Sequence, residues 1–285
     1  MTRSTAFPGA ARCRAALVTG ALLALAGLAS AAGADLQAGS AARVSRVVGT
    51  SIEVIGEDGL PHVGQGLVGT ELTLGGGPAS PRIRIQAVLE DGHHGVLLHE
   101  VEAQGPDGTW ANICAPDRDN RRLALFIEGH DLPDGRQVQV PGRLSITCTG
   151  GVQAKCLRAG YVPWIDPERP GTGPDMFQTC TRMFRADYCG DGLGWTRNGM
   201  TIDMFDVRGM VEPAEPATLP LEAAWGVNGA VCVHHTRVAE RGRLADVLAH
   251  CPRLAQAPVG ASCTEATARS LPGVLILNRS PEPGS

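Results

Sequence analysis

The sequence predicts an α+β fold: an antiparallel β-rich N-terminal part, then a cysteine-rich part of short helices and a β-hairpin, stapled by disulfides. Three observations predict it. Short apolar or alternating runs separated by Gly, Pro and Asp clusters fill 44–147, the punctuation of short strands. Beyond the N-terminal leader eight cysteines remain, and seven of them lie from Cys148 onward. In that second stretch the apolar residues recur at helical spacing.

The chain opens with Arg3, Arg12 and Arg14, then carries no charged residue over 15–28 before the small residues of 29–34. That three-part layout is a secretory signal peptide, assigned to 1–31, with cleavage expected after Ala31 or Ala34. Its apolar run is too short for the roughly twenty residues that a spanning helix needs. No later segment is long and apolar enough either, so no membrane span is expected in the mature chain. Cys13 leaves with the leader, and a linker covers 32–43.

The β-rich region, 44–147, shows strand-like runs at 67–74, 83–89, 96–101, 123–127 and 144–146. Turn clusters such as Gly75-Gly76-Gly77-Pro78 and Pro133-Asp134-Gly135 separate them. The expectation is an antiparallel sheet or small sandwich. Val48-Gly49-Thr50-Ser51-Ile52 echoes Val68-Gly69-Thr70-Glu71-Leu72, and two copies do not make a solenoid.

The cysteine-rich region, 148–265, predicts three helices. Residues 152–159 put Val152, Cys156 and Ala159 on one face, with Gly160 as the stop. Pro174 suits a first helical position. After it Met176, Phe177, Cys180, Met183, Phe184 and Tyr188 form an apolar stripe, opposite Gln178, Thr181, Arg182 and Arg185. Leu244, Val247, Leu248 and Cys251 make the third, closed by Pro252. Between the last two, 221–225 and 230–234 flank Asn228-Gly229, a two-residue hairpin turn that would set Trp225 opposite Cys232. A C-terminal tail is assigned to 266–285.

Eight cysteines in an exported chain, Cys114, Cys148, Cys156, Cys180, Cys189, Cys232, Cys251 and Cys263, read as up to four disulfides. They permit 105 pairings, and Cys251 with Cys263 is the first choice because the loop is short. A net charge of −4 and a single lysine, Lys155, leave no basic patch to follow a phosphate backbone, so nucleic acid is not an expected partner. The preference for Arg over Lys, with abundant Ala, Gly and Pro, reads as a GC-rich, bacterial genome.

Chemistry-bearing motifs are scarce. The chain has no G-x-S-x-G, H-E-x-x-H or P-loop, and no G-x-G-x-x-G opening a helix. Cys232 with His234 and His235 is the nearest local thiol and imidazole, but using that thiol as a nucleophile would strand a disulfide partner. The pairs His93-His94, near His99, and His234-His235 would point to opposite faces of a strand, and C-x-x-C does not occur. Asp187, Asp191, Asp203 and Asp206 bracket a Gly-rich loop that a hard cation could use, though loop aspartates serve turns as readily. No catalytic residue, cofactor or metal is assigned.

The segment from Cys180 to Gly192 holds the tetrad Ala186-Asp187-Tyr188-Cys189. Around it stand Cys148, Lys155-Cys156, Gly160-Tyr161, Pro163-Trp164, Thr196-Arg197-Asn198-Gly199, Ile202-Asp203 and Leu221-Glu222-Ala223-Ala224-Trp225 before Cys232. This resembles the ADYC domain, a family of exported bacterial proteins, from about Trp110 to Cys232. The resemblance implies export, cysteine pairing and a shared fold, and carries over no catalytic residue. In the tetrad, Asp187 lies at the unfavourable end of a helix dipole and should find Arg185 or a backbone donor. Tyr188 and Cys189 turn inward, and Gly190 permits a left-handed stop.

The functional expectation is a secreted or periplasmic, disulfide-stabilised binding or envelope module with an extracellular or envelope ligand. The alternative is an exported hydrolase.

Overall fold

In a computed structural model of the chain, the described residues are 34–35, 42–75, 80–92, 95–169 and 171–282. The leader, most of the linker, Gly76, Gly77, Pro78 and the pair His93-His94 lie outside them.

The β-rich region builds a seven-stranded antiparallel sheet. Its order is Ala34–Asp35, Arg143–Cys148, Ala124–Glu128, Leu97–Gln104, Arg82–Glu90 and Glu71–Thr73, with Trp110–Asn112 also pairing Leu97–Gln104. Strand Ala124–Glu128 shows why both faces are apolar. Ala124 and Phe126 enter one core cluster while Leu125 and Ile127 enter another, the period-two alternation of a strand covered on both sides. One face carries Ile52, Val54, Leu67 and Ile85. Ile52 and Val54 come from a small sheet of Arg43–Val48, Ser51–Ile55 and Pro61–His62. The other face meets the cysteine-rich region. The two copies of the Val-Gly-Thr echo each place a glycine at positive φ, Gly49 at 61° and Gly69 at 86°, ahead of a strand.

Helices α1 (Val152–Arg158) and α2 (Pro174–Arg185) follow, the second with Pro174 in its first turn. Next come a four-stranded sheet, α3 (Leu244–His250) and α4 (Glu265–Ser270). The sheet order is Asp203–Asp206, Ile276–Arg279, Leu221–Gly226 and Gly229–Val233. Residues 266–282, read from the sequence as a tail, thus supply most of α4 and a strand inside the sheet. The two large sheets are separate, yet Leu98, Leu125 and Ile127 of the first pack in one cluster with Phe177, Tyr188 and Trp225.

The hairpin forms with a different register. Gly226 pairs with Gly229 and Trp225 with Ala230, so Val227-Asn228 is the turn and Cys232 stands opposite Ala224. An irregularity between Ala224 and Trp225 shifts the pairing. The cause is tertiary: the Ala230 N–H donates to the Tyr188 carbonyl at 3.0 Å. A Cβ on Gly229 would come 2.7 Å from the same carbonyl oxygen. Trp225 therefore stacks on Tyr188, 5.1 Å between centroids and 24° between planes, instead of covering a half-cystine.

Candidate functional site

Helix α2 delivers the tetrad, and its residues 176–183 are buried on all sides rather than on one face. Gln178, Thr181 and Arg182, placed by spacing opposite the apolar stripe, are each no more than 6% exposed. A two-stranded ribbon, His130–Asp131 with Gln137–Val138, covers them. Gln178 donates to the Gly135 carbonyl and accepts from the Gln137 N–H, Arg182 donates to the Asp134 carbonyl, and Arg185 pairs with Asp131. Gln178 and Arg182 thereby gain partners, which makes their burial tolerable, although Arg182 Nε and the Thr179 hydroxyl have none among the described residues.

The left-handed residue that ends α2 is Ala186, at φ 50°, not Gly190. The Asp187 N–H closes back on the Arg182 carbonyl at 2.9 Å, as in a Schellman-type end. Asp187 is fully buried and forms an ion pair with Arg182; Arg185, the expected partner, is engaged elsewhere. The expected backbone donors are present: the N–H groups of Gly190 (2.8 Å), Asp191 (3.1 Å) and Gly192 (3.0 Å) all donate to its carboxylate. Gly190, at φ 74°, sits within this turn.

Tyr188 points the other way, into a buried polar network. Its hydroxyl donates to Glu222 Oε1 at 3.0 Å and accepts the Arg237 N–H at 3.0 Å. Arg237 meets Glu222 through Nε (2.8 Å) and Nη2 (3.0 Å) and also donates to the Met183 and Phe184 carbonyls that end α2. Asn278 donates to Glu222 at 2.7 Å and accepts from Trp225 Nε1 at 2.7 Å. Burial opposes charge on Glu222, but the Arg237 charge and the hydrogen bonds to Arg237 and Asn278 hold its carboxyl below the usual range. Burial and neighbouring Glu222 push the Tyr188 hydroxyl well above its usual range, so it stays neutral.

Six cysteines are paired: Cys114–Cys148, Cys156–Cys180 and Cys232–Cys263. The Cys251–Cys263 choice is thus corrected. Cys263 packs with Cys232 on one side of the four-stranded sheet, while Cys251 belongs to the cluster on the other. The pairing of Cys232 also removes it as a nucleophile beside His234 and His235. Cys189 and Cys251 are thiols, the first partly and the second fully buried.

A family model for the ADYC domain matches residues 64–239. The chain belongs to the ADYC domain family. No curated protein and no solved structure matches it. The ADYC match begins inside the β-rich region and runs through α1, α2, the tetrad and the hairpin.

Of the four loop aspartates, each is committed separately. Asp187 holds the tetrad turn. Asp206 accepts from the Tyr161 hydroxyl (2.8 Å) and from the Arg208 and Val211 N–H groups. Asp203 pairs with Arg279 at 3.1 Å. Asp191 meets His250 Nε2 at 2.7 Å. They do not converge on one cation position.

Two other groups do bring potential ligand atoms within 4.8 Å of one another: His234, His235 and Glu282, and Cys189, Asp191 and His250. The first corrects the expectation that adjacent histidines diverge. The strand ends at Val233, so its alternation no longer applies at 234 and 235. The second joins the last residue of the ADYC tetrad to the end of α3, and the sequence offered no sign of His250. Burial, the hydrogen bond with Cys251 and the Asp191 charge push the Cys189 thiol well above its usual range. It is protonated near neutral pH, the reverse of an activated nucleophile.

Proposed function

We propose that this ADYC protein is exported and acts as a disulfide-stapled binding module of the cell envelope, holding an extracellular or envelope ligand. The leader pattern and the three disulfides support export to an oxidising compartment. One observation carries the binding reading. Ala186, Asp187 and Tyr188 are fully buried, and both polar side chains among them are satisfied inside the protein. The motif that names the family builds a frame, and its charged and hydroxyl groups face the protein interior.

Expression of the full chain in a bacterial host, with cell fractionation and N-terminal sequencing, tests export. The expected result is a periplasmic or secreted product beginning at residue 32 or 35. Full-length protein retained in the cytoplasm would rule the reading out.

A further inference from the structure

The Cys189 thiol, an Asp191 carboxylate oxygen and a His250 imidazole nitrogen lie within 4.8 Å of one another. We propose that these three side chains form a site for a thiophilic divalent cation of the zinc class. The inference goes beyond the export reading and requires that Cys189 stay a thiol beside Cys251.

The donor set decides the class of ion. A thiolate with an imidazole and a carboxylate suits zinc and its first-row neighbours, whereas calcium and magnesium take oxygen alone. Zinc bonds of about 2.0–2.3 Å in a tetrahedron set donors about 3.3–3.8 Å apart; the three donors lie within 4.8 Å of one another, and the Asp191–His250 pair, at 2.7 Å, has to open slightly to take an ion. Three protein ligands leave a fourth position for water.

Both halves of the site are held in place before any ion arrives. Cys189 and Asp191 ride on the turn whose N–H groups at 190, 191 and 192 all donate to buried Asp187. His250 ends α3, and its ring lies edge-on to Trp195 at 5.8 Å. The same turn is tied to the segment after α3 by Arg253, which donates to the Tyr188 carbonyl at 2.6 Å. Such support keeps ligands near their productive geometry.

The site is also open. The Asp191 and His250 side chains are 44% and 42% exposed, so an ion can enter from solvent. The half-cystines Cys156, Cys180, Cys232 and Cys263 are, by contrast, fully buried in apolar clusters. Binding replaces the His250–Asp191 hydrogen bond with two metal–ligand bonds. It also exchanges the Cys189 S–H bond for a metal–sulfur bond, releasing one proton to solvent.

Cobalt(II) titration of tag-free full-length protein, handled without oxygen or reductant, tests this. The expected result is one equivalent bound, with a thiolate-to-cobalt charge-transfer band in the near ultraviolet that zinc displaces. That band should be lost in Cys189→Ser. His250→Gln, at an exposed position that leaves the fold intact, should weaken cobalt binding at least about tenfold. The proposal is overturned if the band is absent or survives in Cys189→Ser, or if His250→Gln binds as tightly. It is equally overturned if a non-reducing digest recovers Cys189 and Cys251 joined as a disulfide.

Discussion

His99 is fully buried on strand Leu97–Gln104, with Ser51 Oγ 2.9 Å from its Nε2 and its ring edge-on to Phe126 at 4.8 Å. Burial lowers its pKa from 6.5 to about 4. In the unfolded chain it takes up a proton below pH 6.5; in the folded protein it does not until about pH 4. The unfolded state therefore binds more protons across that window, and stability falls as pH falls from 6.5 to 4. The contribution is about 3 kcal/mol. Urea unfolding of the wild type and His99→Gln at pH 7 and pH 4 should show a loss smaller by about that amount in the variant; equal losses would refute the assignment. At this scale the sequence was partly legible. Glu222 stands among the residues that carry the family resemblance, but nothing over the 15 positions to Arg237 marks the two as partners. Asp187 needs a donor from its place at the helix end, but that Arg182 serves both it and the Asp134 carbonyl while Arg185 pairs with Asp131 is settled by the ribbon at 130–138.

The three helices expected from apolar periodicity all form, and so do the strands near 83–89, 123–127 and 144–146. Period and turn residues are local signals, and they sufficed. What periodicity misjudged was the polar side of α2, because a hydrogen-bonded polar face can be covered and the hydropathy pattern does not record the cover. The hairpin turn moved by one residue for a similar reason: Gly229 is needed where the strand end meets the tetrad backbone. Gly190, at φ 74°, is the counterpart, since a Cβ there would lie 2.2 Å from the Asn228 carbonyl oxygen. Gly190→Ala should cost about 2 kcal/mol or more, combining left-handed strain with a backbone clash. A urea midpoint equal to that of the wild type would show that the tetrad and hairpin do not press together as described.

Across the whole molecule the covalent bonds tie each layer. Cys114–Cys148 closes 34 positions within the seven-stranded sheet region. Cys156–Cys180 joins α1 to α2 across 24, and Cys232–Cys263 links the four-stranded sheet to the turn before α4 across 31. Loops of this size stabilise a fold by about 3–4 kcal/mol each on the chain-entropy account. That is a large share of the roughly 5–15 kcal/mol of an ordinary domain. Full reduction, verified by counting thiols, should therefore lower the urea midpoint sharply or abolish the folded state at 37 °C. An unmoved midpoint would mean that the hydrophobic clusters alone carry the fold.

The sequence by itself determined the α+β class, the helix and strand segments and the family membership, because each is written in periods and motifs within short stretches of chain. The tertiary structure alone decided the disulfide partners, the hairpin register, and the meetings of Glu222 with Asn278 across 56 positions and Asp191 with His250 across 59. Those outcomes depend on which faces the packed layers bring together, and no local pattern of residues encodes that choice.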